Sequence, residues 1–97
     1  MYTVLHFESG GEEVYRKLIS DDEIGRQTII LRDASKVSSK LKGSIIIVEG
    51  NDSIVEKAIE LTGGGAHKLK EDLSERIYRK IKEEEEQADQ GVGLLFD

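Results

Sequence analysis

The segment Gly43-Ser-Ile-Ile-Ile-Val-Glu-Gly-Asn-Asp-Ser-Ile-Val-Glu56 constrains the fold of this chain more than any other stretch. Ile45 to Val48 are β-branched without interruption, as in a strand covered on both faces. Gly50 breaks the run, and Ser53 and Glu56 stand at the S-x-x-E spacing of a helix capping box. A buried strand therefore hands the chain to a helix within a few residues, and the rest of the sequence must supply a sheet around one and a core beneath the other.

There is length for one domain. A chain of 97 residues buries about two thirds of the surface its unfolded form exposes, enough for one modest core. Cysteine and tryptophan are absent and Tyr2, Phe7, Tyr15, Tyr78 and Phe96 are the only aromatics, so the core must be aliphatic and held without covalent cross-links. The opening Met-Tyr-Thr-Val-Leu-His-Phe-Glu lacks the charge and length of a signal peptide, and no apolar run approaches a membrane span. The expectation is a cytoplasmic protein with no membrane partner. Heavy use of Glu, Lys and Ile leans towards a thermophile.

Net charge is −6, and it is unevenly placed: residues 1–50 carry seven basic and eight acidic side chains, residues 51–97 seven and twelve. Nucleic-acid backbones select the opposite sign, so nucleic acid is not an expected partner.

Residues 2–8 read as a strand ended by Ser9-Gly10-Gly11-Glu12, again with S-x-x-E spacing. Across 12–19, Val14, Tyr15, Leu18 and Ile19 form a helical stripe supported by the pairs Glu12/Arg16 and Glu13/Lys17. The alternative is a return strand that makes an N-terminal β-hairpin, followed by two strands, two helices and a C-terminal strand. Ser20–Gly25 reads as a loop or a single helical turn, Thr28–Leu31 as a second strand, and Ala34–Gly43 as a solvated connection with at most one helical turn. After the third strand, Ser44–Glu49, a helix over Ser53–Leu61 presents Ile54, Val55, Ala58, Ile59 and Leu61 to the core and stops at Gly63-Gly64-Gly65. Leu69, Leu73, Ile77 and Ile81 then mark a third helix running to about Ala88, and Gly91–Phe96 is expected as a final strand.

The expected fold class is α+β, a two-layer sandwich of β-α-β-β-α-α-β order. That is the split β-α-β order of ferredoxin-like sandwiches with one additional helix, the last strand docking beside the first. This architecture hosts many unrelated functions, so activity must be argued from side chains.

Those side chains give little chemistry. His6 and His67 lie far apart in sequence and outside metal-ligand or general-base spacings; His6 reads as a sheet-face residue and His67 as a surface residue at a helix start. Ser35, Ser38 and Ser39 lack a neighbouring base motif, and no nucleophile elbow is present. Glu83 to Glu86 are consecutive, and on a helix they point about 100° apart, so a cation site would need a further ligand such as Asp89 or Asp97. Gly10-Gly11 and Gly50 precede helices but are flanked by Glu12, Glu13, Glu49 and Asp52, which oppose an anion. No cofactor is expected. The strongest candidate surface is the basic run Arg26, Arg32, Lys36, Lys40 and Lys42, which has one acid, Asp33, within it. Such a run suits a protein partner, an anionic metabolite, or the acidic helix of a second copy in a homo-oligomer.

The leading expectation is a small non-enzymatic module acting through protein association or self-association, with small-ligand binding as an added role. Two other classes stay open: a small enzyme using carboxylates such as Glu49 and Asp52 near the end of the third strand, and cation binding by the acidic C-terminal region.

Overall fold

A computed structural model of the chain describes residues 1–37, 39–63 and 66–96, with side chains throughout except at 67–68 and 86–96. Strand β1 (Tyr2–Phe7) leads to helix α1 (Gly11–Ser20), a 3-10 turn at Ile24–Arg26 and strand β2 (Thr28–Asp33). The one-turn helix α2 (Ala34–Val37), strand β3 (Ser44–Glu49), helix α3 (Asp52–Leu61), a two-residue strand β4 (His67–Lys68) and the long helix α4 (Glu71–Phe96) complete the order. The helical reading of 12–19 holds, and the hairpin alternative falls. Three six-residue strands make the sheet, with β3 antiparallel to both neighbours, and β4 touches its edge in the order β2-β3-β1-β4.

Every residue of Ile45–Val48 is buried because the sheet is covered on both sides. Side chains alternate along a strand. Ile46 and Val48 accordingly join Leu5, Phe7, Leu18, Ile24, Ile54 and Ala58 beneath α1 and α3. Ile45 and Ile47 join Val4, Ile30, Ala34, Ile77 and Ile81 beneath α2 and α4. The molecule is thus a three-layer α/β/α arrangement, which corrects the expected two-layer sandwich. The cause is the α4 stripe, whose Leu73, Ile77 and Ile81 pack on the second face together with Leu69 just before the helix.

The expected C-terminal strand is also corrected: Gly91–Phe96 continues α4. The place beside β1 is taken instead by the segment that emerges from α3, so that Leu5 pairs with Lys68 and His6 with His67. His67 therefore belongs to a strand and not to a helix start. A continuing helix satisfies its own backbone groups and needs no sheet edge.

Helix starts differ from the two capping-box readings. Asn51, not Ser53, caps α3, its Oδ1 accepting from the Ile54 N–H at 2.9 Å. Gly10, at φ 76°, precedes α1 without any side-chain cap. Gly43 has φ 88°, and a Cβ there would collide with the carbonyl oxygens of Phe7 and Glu8, so this close approach of β3 to the end of β1 requires glycine. Two stripe residues turn outward against expectation: Ile19 and Ile59 are exposed. Leu18 and Ala58 already fill the adjacent core positions, both fully buried. Of the triple glycine, Gly63 has φ 65°, while Gly64 and Gly65 lie outside the described residues.

Candidate functional site

β1 is six residues long and β4 two, and this mismatch opens a groove. The register with β4 spans Leu5 and His6, so Tyr2, Thr3 and Val4 have β3 on one side and no strand in register on the other among the described residues. Peptide groups of alternate residues point to opposite edges of an antiparallel strand. The Met1 carbonyl accepts from the Gly50 N–H at 2.9 Å, which sets the phase and turns the peptide groups of Tyr2 towards the open edge.

A cavity of about 600 Å³ lies along this edge, between α3 and the start of α4. Its α3 wall is Val55 and Ile59, and the opposite wall is Leu69, in the approach to α4, and Ser74 of α4. Val55 is buried at its base, whereas Met1 and Ile59 are 74% and 39% exposed at its mouth. Among the described residues, Glu56 and Glu71 are its charged side chains. Among the described residues the groove thus combines a strand edge without a strand partner, apolar walls and carboxylates.

A second cavity, about 580 Å³, opens at the other end of the sheet around Gly10, Gly11, Arg32, Asp33 and Ser44. Glu8, Glu12 and Glu13 also line it, which opposes an anion at the start of α1. Its remaining charges are engaged elsewhere. Asp33 accepts from the Ser35 hydroxyl and N–H at 2.8 and 3.1 Å, which holds its carboxyl below the usual range, and Arg32 lies 3.1 Å from Glu85.

The structure disperses the basic run. Arg26 sits in the 3-10 turn before β2 and is exposed, while Arg32 lies near the far end of that strand. Lys36 on α2 and Lys40 and Lys42 in the approach to β3 are exposed. The Lys42 carbonyl accepts from His6 Nε2 at 2.6 Å, so buried His6 ties β1 to this connection. The Arg32–Glu85 pair joins the run to the acidic stretch of α4 within one chain, the contact that charge alone suggested between two copies.

The carboxylates of the enzyme reading fall in different layers. Glu49 faces α4, where Lys82 Nζ stands 3.0 Å from its Oε1, and Asp52 is exposed in the first turn of α3. Tyr78 stacks on Tyr2 at 3.8 Å between ring centres. Burial, and then the charge of Glu49 and hydrogen bonding to it, push the Tyr78 phenol up. Hydrogen bonding to Glu49 is the main effect raising Lys82. This constellation joins α4 to the ends of β1 and β3. Among the described residues no three His, Cys, Asp or Glu side chains come together as a metal site. Glu83 and Glu84 are exposed and Glu85 holds Arg32, while the Glu86 and Asp89 side chains, Asp97 and Ser38 lie outside the described residues.

Sequence reasoning missed the groove because its walls are ordinary core-type residues. The available signal was Ile59, a surplus member of a stripe that Ile54, Val55, Ala58 and Leu61 already complete. No helix of the described residues is long and apolar enough to cross a membrane. No family model, curated protein or solved structure matches the chain.

Proposed function

We propose that this protein is a small non-enzymatic interaction module whose working surface is the groove along the open edge of β1. The observation that carries the reading is the conjunction of a strand edge at Tyr2 that has no strand partner among the described residues with the exposed apolar side chains of Met1 and Ile59. Both sheet faces are already covered by helices, so a partner meets the sheet at its edge. What supports a ferredoxin-like order of the sheet is the placement of β3, antiparallel between β1 and β2.

Wild type and Ile59→Glu, used as matched baits in extract of the source cell, test this reading. Ile59 is 39% exposed, so the substitution lowers the melting temperature by only a few degrees and leaves the fold intact for the comparison. A protein retained by wild type and lost from the variant is the expected result. Equal retention by both places the interaction elsewhere.

A further inference from the structure

Resting on that reading, we infer that the groove takes an extended peptide segment of a partner protein, apolar at alternate positions and carrying Lys or Arg, added as a strand beside the Tyr2 end of β1. Three observations define this occupant. The edge offers main-chain groups at Tyr2, past the point where the chain leaves β4 through Leu69 and Lys70 to enter α4, so the guest strand lies beside Tyr2 itself. The walls formed by Val55, Ile59 and Leu69 select apolar side chains, and a strand presents these at every second residue. Among the described residues, the charged side chains of the lining are Glu56 and Glu71, both exposed, which favour a basic guest and disfavour an acidic one. The same two carboxylates, on a chain of net charge −6, set a second copy against itself at this surface.

The test uses the full chain and two capped hexapeptides, Lys-Val-Thr-Val-Lys-Val and Glu-Val-Thr-Val-Glu-Val, with binding followed through the backbone amide shifts of Tyr2, Thr3 and Ile59. The basic peptide is expected to move these amides and to bind about five- to tenfold more tightly than the acidic one, the yield of two rim charge pairs. The preference shrinks in 0.5 M salt, a probe condition at which the screening length falls to about 4 Å. N-methylation of the peptide amides that face β1 abolishes the shifts, which a purely apolar association would not require. Equal binding of the two peptides in the groove overturns the basic partner while leaving the groove as the working surface. If neither peptide moves the groove amides, strand addition is overturned, and the bait comparison with Ile59→Glu then decides separately whether the interaction reading survives. Concentration-dependent dimerisation that Ile59→Glu abolishes assigns the groove to a second copy and also overturns the inference.

Discussion

Asn51 and Ser53 separate two ways of starting the same helix. Asn51 Oδ1 takes the Ile54 N–H, one of the donors that the first turn of α3 leaves without an internal partner. Asn51→Ala is expected to lower stability by about 1 kcal/mol in urea unfolding, Asn51→Asp to retain most of it, and Ser53→Ala to change little. The sequence offered both residues and the S-x-x-E spacing pointed to the wrong one, because a capping box and a simple Asn cap two positions earlier differ only in backbone geometry. Glycines divide in the same manner. Gly10 and Gly43 both have positive φ, but a Cβ at Gly10 meets open space and one at Gly43 meets two carbonyl oxygens. Gly10→Ala should therefore cost about 1 to 2 kcal/mol from conformation alone. Gly43→Ala should cost distinctly more, read as a larger drop in urea midpoint, since the end of β1 must also move.

At the scale of elements, Ile45–Val48 made the central strand legible, and the unbroken apolar run correctly required cover on both faces. Leu69, Leu73, Ile77 and Ile81 made α4 legible for the same reason of period. What the pattern could not reveal was where these helices go: a stripe states that one side is buried, not which face of the sheet buries it. The assignment of Gly91–Phe96 to a strand failed at this level, since β-type residues beside glycine fit a strand locally while the edge of β1 had already met His67–Lys68. The groove arises from that meeting, a relation between two strand lengths and two helices that no single segment carries. The cover supplied by α4 is testable. Ile81 is fully buried, so Ile81→Ala should lose about 2 to 5 kcal/mol, with the spread set by how far the site collapses. Ile59→Ser, a loss of similar apolar bulk on α3, should cost less, about 1 kcal/mol, because the side chain is 39% exposed.

For the molecule as a whole, ionisation links the layers at both ends of the pH scale. Asp21 accepts from the N–H groups of Ile24 and Glu23 at 3.0 Å each and lies 3.3 Å from Lys57 of α3, which joins the 3-10 turn to that helix. The Ile24 bond is the largest influence holding its carboxyl below 3.8, as Ser35 does for Asp33. A carboxyl lowered in the folded state contributes stability above its unfolded value and loses it as pH falls through the folded one, so both turns weaken in acid below about pH 4. On the other side, Lys82 and Tyr78 are both raised, Lys82 chiefly by hydrogen bonding to Glu49 and Tyr78 chiefly by burial. Groups raised on folding contribute fully below their unfolded values and lose that contribution as pH climbs through the folded ones, so α4 loosens from β3 above about pH 10. Melting temperature against pH should therefore show a plateau with an acid limb and an alkaline limb. Lys82→Met removes a cation that Glu49 holds and leaves the acid limb in place, so its alkaline limb should be shallower than that of wild type. A Lys82→Met profile parallel to wild type above pH 10 would show that the Glu49 contact plays no part in fastening α4 to the sheet.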